Sequence, residues 1–125
     1  MTENEISRII IGKSIEIHKE LGPGLLESVY EKILAYELIN EGLFVKTQVP
    51  LPVFYKGIYQ EIGFKIDLLV EDKVIVELKC VESLAPIHFV QTKTYLKLSQ
   101  IKLGLLINFN TVVLYREIKR IVNNL

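Results

Sequence analysis

Helical periodicity before Asn40, three alternating segments after it, and a further helical stretch leading into an apolar run predict an α/β sandwich with a central mixed sheet flanked by helices. Segments that alternate with short turns make a meander. A helix between two strands allows the pair to run parallel by a crossover.

The first helix is expected over Glu5 to Leu21, where Ile6, Ile9, Ile10 and Ile17 recur on one face with Glu16, Lys19 and Glu20 between them. Leu21-Gly22-Pro23-Gly24 then stops it in a tight corner. A second helix follows from Leu25 to about Asn40 on the stripe Leu26, Val29, Ile33, Leu34 and Leu38, and Glu41-Gly42 closes it. Phe44 to Tyr55 reads as a strand, but Pro50 and Pro52 lack amide donors and place it at an edge. Ile58 to Val70 and Val74 to Cys80 complete an antiparallel meander, with Gly63 marking a bulge or bend. After Pro86 a helix from Ile87 to about Ser99 carries a polar stripe of His88, Gln91, Thr92, Tyr95 and Ser99 beside core-facing Phe89 and Leu96. Leu103 to Phe109 is a strand covered on both faces. Thr111 to Tyr115 reads as a further β-rich run, and Glu117 to Asn123 as a short final helix.

The totals bound the function. The 125 residues form one domain, 1–125, with Lys plus Arg balancing Asp plus Glu at 15 each, so no global basic field marks a nucleic-acid binder. A single cysteine, Cys80, excludes an internal disulfide and fits a reducing compartment. The acidic start MTENEISRII is unlike a signal peptide, and no apolar run is long enough for a membrane span, so a cytoplasmic location without membrane partners is expected.

The chemistry concentrates in Gly63 to Cys80. If Glu71-Asp72-Lys73 forms a three-residue loop, Asp67 falls opposite Glu77, and Lys79 shares the Glu77 face. Two carboxylates with a nearby backbone oxygen, that of Leu78, suit a hard cation such as Mg²⁺, and Lys79 is placed to orient a water or steady developing charge. On spacing alone the same residues also describe a solvated ion-pair patch on a two-faced sheet. Against that, the strands look covered on both faces, where such a cluster is costly without a function.

Asp67, nine residues and Glu77-Leu78-Lys79 together resemble the catalytic signature of the PD-(D/E)XK phosphodiesterase superfamily, with Ile66 where its proline would stand. Gln91 to Tyr95 resembles the Gln-x-x-x-Tyr motif of its RecB-like branch. Gly24-Leu25-Leu26-Glu27-Ser28-Val29-Tyr30 resembles the motif of the small prokaryotic GxxExxY proteins. The resemblance implies a restriction-endonuclease-like fold and a nuclease that uses Mg²⁺ or Mn²⁺ and acts on nucleic acid, DNA in the first instance. It implies Lys79, Asp67 and Glu77 as catalytic residues, and Glu27, Asp67, Glu77 and the Leu78 carbonyl as metal ligands. Gln91 and Tyr95 would contact substrate, with Lys93 on the neighbouring basic ridge.

Several residues keep two readings. His18 is a polar residue suited to a helix C-terminus or, by the resemblance, a further ligand. Tyr30 is a core aromatic with its hydroxyl near Glu27, and Cys80 a small core residue. The alternatives to a nuclease are an inactive nuclease-fold module that binds nucleic acid or protein, and an interaction protein that forms a homodimer through the edge near Pro50-Leu51-Pro52.

Overall fold

The computed structural model describes residues 1–125 except the side chain of Ile62. The elements are helices α1 (Glu3–Leu21) and α2 (Glu27–Asn40), strands β1 (Val45–Tyr55), β2 (Ile58–Val70) and β3 (Val74–Lys79), helix α3 (Pro86–Ser99), strand β4 (Leu103–Asn108), a 3₁₀ turn (Leu114–Glu117) and strand β5 (Ile118–Val122). The five strands form one sheet in the order β1-β2-β3-β4-β5. Only β3 and β4 are parallel, joined through α3, and the other neighbours are antiparallel. This is the mixed-sheet α/β fold expected.

Helix α1 begins on a reciprocal cap: Glu5 N–H donates to Thr2 Oγ1 at 3.2 Å, and Thr2 N–H donates to the Glu5 carboxylate at 2.9 Å. Its buried Ile6, Ile10 and Ile17 pack with Leu34 and Leu38 of α2 onto Leu68, Val76, Leu78, Leu105 and Ile107, forming the larger core on one face of the sheet. On the opposite face, Tyr95 and Leu96 of α3 cover Leu51, Ile66, Leu69 and Ile75. Gly104 lets α3 sit close, since a Cβ there would stand 3.0 Å from the Thr92 methyl. Thus part of the stripe read as polar, Thr92 and Tyr95, faces inward. No helix is long and apolar enough to cross a membrane.

Edge strand β1 behaves as its prolines require. Its register with β2 shifts between Leu51 and Val53, opposite Gly63. Three expectations need correction. Glu117 to Asn123 is not a helix but contains β5, because buried β4 needs amide partners on its outer side and Ile118 and Ile121 can each pack on a different face. Thr111 to Tyr115 is not a strand; the chain bends there into the 3₁₀ turn that buries Leu114. Leu26, placed on the α2 apolar stripe, precedes the helix and is 73% exposed.

Candidate active site

Strands β2 and β3 pair only through Leu68/Val76, Leu69/Ile75 and Val70/Val74. Beyond that point β2 stays with β1, where Ile66 faces Val49, while β3 stays with β4, where Glu77 faces Leu106 and Lys79 faces Asn108. The sheet therefore forks. Glu71 and Asp72 both adopt left-handed φ in the turn Glu71-Asp72-Lys73, and the register it sets puts Asp67 opposite Glu77 at the opening.

Side chains replace the ladder across this fork. Asp67 N–H donates to Glu77 Oε1 at 3.3 Å, and Leu78 N–H donates to Asp67 Oδ2 at 2.9 Å. The other Asp67 oxygen accepts from Gln48 Nε2 at 3.3 Å, and the same amide donates to Glu31 Oε1 at 2.7 Å. Gln48 holds φ at +50° in mid-strand, a costly conformation for a residue with a side chain. Strict alternation fails at this place too. Phe64 and Ile66 pack in the α3-side core whereas Leu68 and Val70 pack in the other, so β2 swings its faces across Asp67.

Asp67, Glu77 and Lys79 line a cleft of about 270 Å³ with Glu27, Glu31, Gln48, Lys65 and Tyr95. Glu27 reaches it from the first residue of α2. The corner before that helix is latched from below: the Tyr30 hydroxyl donates to the Gly22 carbonyl at 2.5 Å and accepts from Leu25 N–H at 3.3 Å. Gly22 and Gly24 take the positive φ that the corner requires. Tyr30 is fully buried with its ring stacked on Phe109, centroids 4.4 Å apart. Its hydroxyl is thus spent on the Gly22 corner rather than on Glu27, and it positions Glu27 only through the backbone.

The cleft is electrostatically crowded. Glu77, 4% exposed, has its carboxyl pushed up to about 9 by burial and then by the neighbouring Asp67 charge, with Lys79 opposing. Burial also raises Glu27 and Glu31, with Asp67 adding to both. The Tyr95 hydroxyl is raised by burial, then by Glu77 and Asp67. Half-buried Cys80 packs against the larger core and is raised by burial and by Glu27.

Other sequence candidates lie outside this cluster. His18 is buried, its Nε2 within 2.7 Å of the Thr111 carbonyl oxygen and its ring tilted against Phe109. Gln91 is half-buried on α3 and does not line the cleft. The Lys93 ammonium donates to the Val122 carbonyl. His88 closes the start of α3, its Nδ1 accepting from Ala85 N–H at 2.9 Å. Glu31 and Gln48 were not expected. Glu31 had a signal, lying four residues and one helical turn after Glu27; Gln48 had none, since its reach depends on an unusual φ.

Among the described residues, no group of three or more His, Cys, Asp and Glu side chains is drawn together closely enough to hold a metal ion. The donor chemistry still fits a hard cation, because the cleft offers only oxygen ligands, and Mg²⁺ typically takes one or two carboxylates with water and substrate phosphate. Like-charged carboxyls held together by burial are also relieved by a cation.

A family model described as the PD-(D/E)XK nuclease superfamily matches residues 4–121. Comparison with curated proteins and with solved structures gave no match.

Proposed function

The chain belongs to the PD-(D/E)XK nuclease superfamily, and from that premise we propose that it hydrolyses DNA phosphodiester bonds, with Mg²⁺ or Mn²⁺, at the fork between β2 and β3. The observation that carries this reading is the opposed pair Asp67 and Glu77, stitched across the fork, with Lys79 in the same cleft. The Gly24, Glu27 and Tyr30 spacing further suggests the GxxExxY group, and Gln91 with Tyr95 the RecB-like branch.

In this reading Asp67, Glu77 and the Leu78 carbonyl would hold the ion, and Glu27 would add a carboxylate from the α2 side. Such an ion would supply Lewis-acid polarisation of the phosphoryl oxygen and a lowered pKa for the attacking water. Lys79 orients that water and steadies the charge that develops on the phosphate. Gln48 fixes the Asp67 rotamer through the oxygen not engaged by Leu78 N–H. Tyr95, wedged between Phe64 and the acidic pair, borders the site. Gln91 and Lys93 contact the substrate backbone only if α3 side chains rearrange, since the Lys93 ammonium is engaged at Val122.

The test is cleavage of single-stranded, duplex and branched DNA, and of RNA, with Mg²⁺ or Mn²⁺. Activity abolished by Lys79→Ala, with metal affinity kept, supports the assignment; full activity in that variant sinks it. The second reading is a catalytically inactive module of the same fold that binds nucleic acid or a protein partner. Binding without cleavage on every substrate and metal is its signature.

A further inference from the structure

The hairpin of β1 and β2 reaches well past the rest of the sheet. Pairing between these two strands continues from Val45/Val70 out to Tyr55/Ile58, whereas β3 supports β2 only at Leu68 to Val70. At about 3.3 Å per residue, Tyr55 lies roughly 23 Å along the strand from Gln48. Its root is anchored, with Leu51 buried and the Phe64 ring 4.9 Å from that of Tyr95.

The tip of this arm is aromatic and uncovered. Phe54, Tyr55, Ile58 and Tyr59 are each more than half exposed. Phe54 and Tyr59 face each other across the strands with ring centroids 4.7 Å apart. The Lys56 ammonium sits 5.4 Å from the Tyr55 ring centroid. Along the arm runs a groove of about 420 Å³, lined by Gln48, Pro50, Pro52, Tyr59, Glu61 and Lys65. Gln48 and Lys65 also line the cleft, so the groove adjoins it.

We propose that the β1-β2 arm is a platform for an unpaired DNA strand, whose bases stack on Phe54 and Tyr59, which share the groove face of the hairpin, while its backbone follows the groove past Lys65 into the cleft. The inference rests on the nuclease reading and adds the substrate class. Exposed aromatic faces bind any unstacked base, whereas a duplex offers base faces only at its ends. Lys56 at the tip and Lys65 at the junction place positive charge at both ends of the path, with Glu61 the single acidic side chain between them. A second copy of the chain is a poorer occupant for the β1 edge, because Pro50 and Pro52 remove two amide donors that sheet extension would use.

The test is fluorescence anisotropy on the full chain in EDTA, where no cutting intervenes, with labelled oligo(dT), a blunt duplex of equal length and oligo(rU). Oligo(dT) is expected to bind at least tenfold tighter than the duplex. The double variant Phe54→Ser with Tyr59→Ser should weaken it about tenfold or more, with an unchanged circular dichroism spectrum. If that variant does not fold, the single variants Phe54→Ser and Lys56→Glu serve, the second with a shallower salt dependence. Affinity unchanged in the folded variants, equal binding of duplex, or tighter binding of oligo(rU) overturns the proposal. So does a wild-type dimer that these variants dissociate without loss of DNA affinity. Arm-dependent binding by a chain that cuts nothing with Mg²⁺ would sink the nuclease reading alone, and cutting with arm-independent binding would sink the platform alone.

Discussion

Asp67 and Glu77 hold each other across the fork by backbone contact on both sides: Glu77 Oε1 accepts from the Asp67 amide at 3.3 Å, and Asp67 Oδ2 accepts from Leu78 N–H, the amide after Glu77, at 2.9 Å. These bonds keep two carboxyl groups adjacent in a buried place. Without a cation, the cheapest state is one proton held by Glu77, which is why its carboxyl rises to about 9.

That shift fixes the sign of a pH dependence. Between the ordinary carboxyl value near 4.5 and about 9, the folded chain holds a proton on Glu77 that the unfolded chain has released. Stability from this group is therefore full below about 4.5 and is lost as pH rises toward 9. Melting of the metal-free chain from pH 6 to 9 should show a falling Tm, and Glu77→Gln should flatten the fall. An equal slope in both proteins would contradict the buried, protonated Glu77.

Metal binding should carry the opposite dependence, since the ion must displace the same proton. Isothermal titration with Mg²⁺ in buffers of different ionisation enthalpy is expected to reveal proton release near pH 7, absent in Glu77→Gln. Affinity should rise with pH toward 9.

Lys79→Ala should reduce cleavage by about 100-fold or more, the scale for losing a group that stabilises transition-state charge. Its Tm should fall slightly at low salt, since Lys79 offsets the crowding of the Glu27 and Glu77 carboxyls. Single-turnover kinetics beside metal titration separates these effects.

Tyr30→Phe removes both bonds to the Gly22 to Leu25 corner while keeping the stack on Phe109. A loss of about 1 to 2 kcal/mol is expected, from unsatisfied groups partly open to water, together with weaker cleavage because Glu27 loses its fixed approach. Urea unfolding and amide exchange at Leu25 measure the two parts.

Gly63→Ala should destabilise the arm by about 1 to 3 kcal/mol, as overpacking does. The added Cβ would stand 2.4 Å from a Val53 methyl and 3.2 Å from the Leu51 carbonyl oxygen. Chemical denaturation of the variant reads this directly, and wild-type stability would show that the register shift at Gly63 can relax.

Much of the fold was legible because short-range patterns fix it. The helical spacing of Ile6, Ile10 and Ile17, the prolines of β1, and the short turn Glu71 to Lys73 each act within a few residues, so the opposition of Asp67 and Glu77 could be read from period two and a loop length. The C-terminal segment was misread because Ile118, Ile121 and Val122 fit a short helix or a strand equally well. Unsatisfied amides on β4 decided for the strand.

By itself, then, the sequence determined the order of elements, the edge character of β1 and the charged hairpin at the centre of the site, all local consequences of side-chain period and backbone restriction. Only the tertiary structure decided that β2 and β3 part company at Asp67, that Glu31 and Gln48 join the cleft, and that the Tyr30 hydroxyl goes to Gly22. Those depend on which strand each neighbour keeps and on where buried polar groups find partners, and such choices are made between distant segments once the core has closed.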